Sequence, residues 1–523
     1  MDIVNNFDVF DIVGPIMVGP SSSHTAGAVR IGLVAGQLCD YNPKEITVLF
    51  HGSLKSTYSF HKTDVAVVAG ILGMKVDDEQ LKDAIQLAEK KGVKVTIDTV
   101  EIEEAHPSTI LIYMIDHNDK KQYVRAATIG GGNIYVEEIN EYKVNLDGKQ
   151  DYLLGRTTIK DASTFKEMVK KIAGENVKLL FKNTGEYAIF SITCKKTIDQ
   201  DVIKKLRKIP STLDIHLIKA IMPVNIANKQ FFKSCSEWVE ESKKRKASMH
   251  DLVIDFECKN SGRERIQVIE QMKQNYMVMK KSIEDGLQKE NILLGNIFSG
   301  NAKKMEEYIK NGKSICGINI SKVVRNALAI MEVNGSMGKI VACPTAGSAG
   351  TVPAALITVA ECNKIPEEKV VEGLFVGAGL GMIITQKTSI SGSVCGCQGE
   401  CGCASAMAAA MITQILDGND TQILSAFSLA LGNILGLVCD PVAGMVEIPC
   451  IQRNTMGAVN AIICAEMALA GIDSVIPADE MIGALDEVGK LMDISLKDTL
   501  GAGISNTPTA RAIEKKIFHS KSI

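Results

Sequence analysis

Residues 334–470 are dominated by Gly, Ala and aliphatic side chains, and two stretches within them, 401–416 and 423–438, run 16 residues each without a charge. This pattern constrains the fold more than any other feature of the chain. A helix that is apolar all round has to be buried on every side. Both stretches fall short of the ~18–20 residues that a membrane span needs. Their Ala, Ser and Gly content suits helices buried against other helices. From Phe231 on the pattern stays helical, with charged segments at 237–246 and 303–313 ahead of the apolar ones, and strand signals are nearly absent. The reading is a large, all-α C-terminal domain over 235–523.

A chain of 523 residues is too long for one core, and two to four domains are expected. Residues 1–147 mix strands (46–50, 110–115) with helices (62–73, 79–91), the second helix ending on Gly92, and Gly130-Gly131-Gly132 marks a sharp turn or a backbone nest. Residues 148–224 form a small unit of their own. Strands at 152–156, 177–182, 187–194 and 213–221 alternate with helices at 164–173 and 200–208. Asn183-Thr184-Gly185-Glu186 joins the middle two strands as a hairpin. That order, βαββαβ, is the ferredoxin-like arrangement. The fold class is therefore multidomain α+β.

The net charge of -3 and the lack of a basic stripe with interleaved aromatics exclude nucleic acid as the main partner. The acidic start, MDIVNNFDVFDIVG, does not read as a signal peptide. The 14 cysteines are then expected in a reducing cytosol, where clustered thiols point to metal or catalytic sites.

Four cysteines, at 395, 397, 401 and 403, fall within nine residues. A local zinc site is one reading, although zinc sites usually draw on two separated pairs. Another takes one cysteine from this group and two from CDPVAGMVEIPCIQRN (439–454), where Cys439 and Cys450 stand beside prolines. Cys397, Cys439 and Cys450 would then converge from three helix-to-loop junctions. Three thiolates on a four-iron cluster leave one iron open as a Lewis acid.

GPSSSHTAGAVRIG (19–32), CPTAGSAG (343–350), SGSVCGCQGE (391–400) and CDPVAGMVEIPCIQRN (439–454) together resemble the iron–sulfur L-serine dehydratases, in family order and at family spacing. The resemblance covers nearly the whole chain. It implies a β domain over 1–147, a regulatory ACT-like domain over 148–224 and an α domain over 235–523. It also implies a [4Fe-4S] cluster on Cys397, Cys439 and Cys450 with one open iron, L-serine as substrate, pyruvate and ammonia as products, a cytoplasmic setting and a homodimer. Cys343 has no ligand role under this mapping, and Cys395, Cys401 and Cys403 are read as buried thiols packing a helix.

Some members of the family end in a cysteine that caps the open iron, whereas this sequence ends IFHSKSI. Ser393-Val394-Cys395 replaces the usual Gly-Ala-Glu, Ser108 replaces an Asn, and the Asp-Arg-Pro-Gly turn of ligand-binding ACT domains is missing. The same fold acting on L-cysteine, a cluster-bearing redox sensor and a pyridoxal enzyme are the competing readings. The last lacks a lysine in a Ser-x-Lys context with a phosphate loop.

Dehydration of a β-hydroxy amino acid needs a base at Cα and an acid at the hydroxyl. Ser21-Ser22-Ser23-His24-Thr25 supplies four hydroxyls and an imidazole ahead of an apolar helix (26–38), where a helix N-terminus favours an anion. His24 is the candidate base or base-orienting group, with Ser22 and Ser23 beside it and His61 or His106 as the rival for that role. Ser21, Thr25, His61, His106, Thr345, Gly347, Ser348 and Arg453 are candidate substrate contacts, the arginine because its fork suits a carboxylate.

Overall fold

The structure is a computed structural model that describes residues 7–174, 177–194, 198–222 and 230–520. The predicted boundary at 224 lies outside the described residues. A six-stranded sheet organises the N-terminal unit, in the order Lys94–Thr99, Glu45–Phe50, Thr109–Ile115, Lys121–Gly130, Asn133–Ile139, Tyr142–Leu146. The first pair is parallel and the rest antiparallel. Ile46, Val48 and Phe50 point inward while their neighbours are half-exposed, the alternation that a sheet wet on one face requires. The sheet is larger than the two strands expected from sequence. The extra strands carry charges on their solvated side, including the cross-strand pair of Arg125 and Glu137 at 2.7 Å.

Helices Ala28–Gly36 and Thr63–Ile71 pack together within the same core. A Cβ on Gly32 would lie 2.3 Å from the Val67 carbonyl oxygen, and one on Gly70 would lie 2.1 Å from that of Val29. Only glycine permits this approach. Gly131 and Gly132, both at positive φ, close the hairpin that follows Lys121–Gly130, as a two-residue turn of primed type demands.

The small unit has the expected order of elements. Its four strands lie as Thr212–Ile218, Tyr152–Thr157, Ala188–Cys194, Val177–Asn183, all antiparallel. Helices Ala162–Ala173 and Gln200–Arg207, capped by Asp161 and Asp199, share one core with the sheet around Phe165 and Phe190.

In the helical unit, Cys403–Ile415 packs against Thr351–Cys362, Glu367–Lys387, Asp420–Gly432 and Cys450–Leu469. That enclosure is why this segment carries no charge. A Cβ on Gly377 would fall 1.8 Å from the Met411 methyl, and one on Gly379 would fall 2.4 Å from the fully buried Trp238 ring. Among the described residues no helix is long and apolar enough to cross a membrane. The all-α expectation needs one correction. Lys339–Val341 is a strand, paired antiparallel with Ile16–Val18.

That pairing matters for the site. Residues before the first motif belong to the helical core: Val9, Ile12, Val13 and Met17 are buried in it. The chain then crosses into the N-terminal unit through residues 19–25. A buried ionic joint holds the crossing. Lys149 Nζ lies 2.5 Å from Asp11 and 3.6 Å from Asp8, while Glu257 accepts from the Val9 backbone and pairs with Arg263 at 2.6 Å.

Candidate active site

Gly19 at φ +110° turns the chain into a wide, π-type helical turn over Ser22–Gly27. Ser21 caps it by accepting from the His24 backbone N–H at 3.1 Å. The Ser22 hydroxyl accepts from the Ala346 N–H at 2.7 Å, and Asn334 Nδ2 donates to the Ala346 carbonyl at 3.0 Å and the Pro20 carbonyl at 3.4 Å. The loops 19–25 and 343–350, 324 residues apart at Ser22 and Ala346, are thereby fixed to each other.

His24 and His61 meet Nδ1 to Nδ1 at 2.5 Å. At that separation at most one of the two nitrogens carries a proton. Both rings are buried. Burial holds His24 down at about 4, and burial together with His24 holds His61 well below the ordinary range. One Nδ1 donates and the other accepts, which leaves the two Nε2 atoms outside this contact. His106 stands on the same pocket wall, its Nδ1 accepting from the Ser108 N–H at 3.1 Å.

The cluster of four cysteines separates. Cys395 turns toward helix Ala478–Leu491, where a Cβ on Gly489 would come within 2.7 Å of its sulfur, and Cys403 is buried in the helical core. Cys397 and Cys401 face the other way and pack with Cys439. The divergence removes the local zinc reading. Cys450, the first residue of helix Cys450–Leu469, lines the pocket with Cys439. Burial, and then the neighbouring carboxylates and thiols, push Cys439 and Cys450 well above the ordinary thiol range. Cys401, expected only as helix packing, packs against Cys397 and receives Asn454 Nδ2 at 3.7 Å on its sulfur.

This donor set fits an iron–sulfur cluster. Cys439 and Cys450 line the pocket, Cys397 and Cys401 pack against Cys439, and the Asn454 amide N–H is directed at the Cys401 sulfur. Clustered buried thiols are unfavourable as free thiolates, and cationic iron reverses that balance.

Several expected contacts lie behind the wall rather than on it. Thr25 is fully buried and donates to the His61 carbonyl at 2.8 Å, so it positions the histidine. Ser348 is fully buried and ties its own loop together, donating to the Cys343 carbonyl at 3.1 Å. Arg453 donates to the Val438 carbonyl at 2.7 Å and pairs with Asp440 at 2.8 Å, which locks the Cys439 loop and leaves no fork for a carboxylate. Ser21, Ser22, Ser23, Thr345 and Gly347 do line the pocket, with His24, His61 and His106.

The sequence reading missed two carboxylates on that wall, Glu400 and Asp498. Burial pushes Glu400 to about 7 against the pull of the Thr345 hydroxyl, which donates to Oε1 at 2.9 Å. Burial and then Glu400 push Asp498 to about 7. A signal for Glu400 was present in the sequence, since it is the only charged residue between Lys387 and Asp417.

Residues 233–505 match the family model described as serine dehydratase alpha chain, and residues 6–139 match that of serine dehydratase beta chain. The chain belongs to the serine dehydratase family. The "Probable L-serine dehydratase, alpha chain" of Bacillus subtilis is 42% identical over 287 residues, covering 55% of this chain and 95% of that protein. The beta chain of the same organism, also named as probable, is 36% identical over 211 residues, 40% of this chain and 96% of that one. A single-chain "L-serine dehydratase" from Streptomyces coelicolor is 26% identical over 516 residues, 96% of this chain and 98% of that protein. The two family models thus fall on either side of the pocket. The alpha-chain match carries Cys397, Cys439, Cys450 and Glu400, and the beta-chain match carries the histidines.

Proposed function

We propose that this protein is an L-serine ammonia-lyase that forms pyruvate and ammonia, with a [4Fe-4S] cluster on Cys397, Cys439 and Cys450 and one iron left open. The observation that carries the reading is the lining of a single pocket by Cys439 and Cys450 on one side and by the neutral His24–His61 pair on the other. Family membership points the same way. When bound, the cluster supplies a Lewis-acidic iron for the substrate hydroxyl and carboxylate.

His24 Nε2 takes the Cα proton in the tautomer in which His24 Nδ1 donates to His61 Nδ1. The imidazolium that forms is shared across the short Nδ1 contact. Ser21 and Ser22 fix the turn that carries His24, and the hydroxyl of Ser23 on the wall is a contact for the substrate. Loss of the Cα proton and the β-hydroxyl as water leaves an enamine, which tautomerises to the imine and hydrolyses to pyruvate and ammonia.

The βαββαβ unit is read as an ACT-like regulatory domain from its order of elements, and a cytoplasmic homodimer is the proposed setting.

Protein purified without oxygen and given L-serine is expected to form pyruvate, and to stop after brief exposure to air. Pyruvate formation that survives air would overturn the open-iron reading. Sulfide release from L-cysteine without pyruvate from serine would replace the substrate.

A further inference from the structure

The lining of the pocket has a one-sided charge. Glu400 and Asp498 stand on it, the three histidines are held neutral or below their ordinary range by burial, and no lysine or arginine is among the lining residues. Arg453, the nearest cation in the sequence motif, is spent on Asp440.

Glu400 is held in place and open on one side. Its Oε1 takes the Thr345 hydroxyl at 2.9 Å, and among the described residues no cationic side chain forms an ion pair with it. Two glycines leave its flank bare. A Cβ on Gly347 would stand 3.1 Å from Oε1, and one on Gly392 would stand 2.7 Å from Oε2 and 2.9 Å from Cys439 Sγ. The carboxylate and a candidate cluster sulfur therefore border the same bare glycine. A buried carboxylate without a counter-charge is unfavourable unless a ligand brings one.

From this geometry, and resting on the lyase reading above, we propose that Glu400 is the residue that receives the α-ammonium of the amino acid substrate. It is thereby a specificity-determining residue that distinguishes an amino acid from the corresponding hydroxy acid. Thr345 positions it, and Gly347 and Gly392 are required for access. The substrate carboxylate is then left to the hydroxyl-rich loop of Ser21–Ser23 and to the metal side of the pocket. Asp498 is the rival seat: its backbone N–H is tied to the Cys439 carbonyl at 2.8 Å, its carboxylate stands on the same lining, and D498N separates the two.

The test compares two unreactive ligands that differ only in the ammonium, L-alanine and propanoate, by calorimetry on the cluster-loaded enzyme under argon. The wild type should bind alanine tighter by on the order of 10- to 100-fold, the range expected for one charge-assisted hydrogen bond. E400Q should bring the ratio close to one, raise KM for L-serine and leave the cluster absorbance unchanged. E400D, which keeps the charge, should retain much of the preference. A purely structural role would weaken both ligands equally and keep the ratio. That result, or a ratio that collapses in D498N and not in E400Q, overturns the proposal. If E400Q does not fold, a wild-type ratio near one does so alone. Absence of pyruvate from L-serine in the wild type would remove the lyase reading, while the alanine-to-propanoate ratio would still decide whether Glu400 seats an ammonium.

Discussion

The two halves of the pocket are built in different ways. The cysteine half comes from one stretch of the chain. Cys397, Cys439 and Cys450 lie within 54 residues, and all are set by loops of a single helical unit. The histidine half is assembled from distant pieces. His24 depends on Ser22 reaching Ala346 and on Thr25 holding the His61 carbonyl. The contrast teaches that the thiols are held by contacts within the alpha-type unit, whereas the His24–His61 pair is fixed by contacts from both units. Occurrence of the two chains as separate proteins in Bacillus subtilis accords with such a division.

The strongest way to break the comparison is on the thiol side. Cys439→Ala should abolish bound iron and sulfide and all pyruvate formation, and should leave the histidine half folded. Metal analysis and absorbance near the cluster bands check this. Retention of a full cluster would remove Cys439 from the ligand set.

A smaller effect is expected from the histidine side. His24→Asn should lower kcat by about 10²–10⁴-fold, the usual yield of general-base catalysis, with cluster content intact. His61→Asn should fall less, because His24 keeps its place but loses the partner that fixes its tautomer. A larger loss in the His61 variant would exchange the two roles.

The smallest effects sharpen the contrast through pH. His24 is depressed from an ordinary 6.5 to about 4, so its contribution to stability is present above 6.5 and is lost as pH falls toward 4. Glu257, in the ionic joint, is raised from 4.5 to about 7 by burial and then by Asp8. Its contribution is full below 4.5 and is lost as pH rises through 7. The two slopes oppose each other between about 4.5 and 6.5. Glu257→Gln should therefore steepen the loss of stability on acidification, and His24→Asn should flatten it. Melting curves of the metal-free protein from pH 5 to 8 check both signs.

Much of the fold was legible. The apolar runs at 401–416 and 423–438 announced buried helices because a helix enclosed by neighbours cannot carry charge. The βαββαβ order followed from period and turn chemistry. The strands missed in the N-terminal sheet, such as Lys94–Thr99 and Asn133–Ile139, carry Lys, Asp and Glu among their residues, so their apolar runs are broken or short. The candidate site was legible by residue type and less so by direction. Cys439, Cys450, His24 and His61 are on the pocket and Cys397 packs against Cys439, but Thr25, Ser348 and Arg453 turn away from it, and Glu400 went unremarked inside a motif already quoted.

The sequence by itself determined the units, their order and the identity of the residues that can do chemistry, because periodicity, glycine spacing and side-chain type are local properties. Only the tertiary structure decided which of these residues share a pocket. It put Cys401 with Cys397 and sent Cys395 and Cys403 elsewhere, committed Arg453 to Asp440, and set His24 against His61. Each of those outcomes depends on how the surrounding helices and loops pack, as where Cys395 meets helix Ala478–Leu491 and Ser22 meets Ala346, and residue spacing by itself carries no record of that packing.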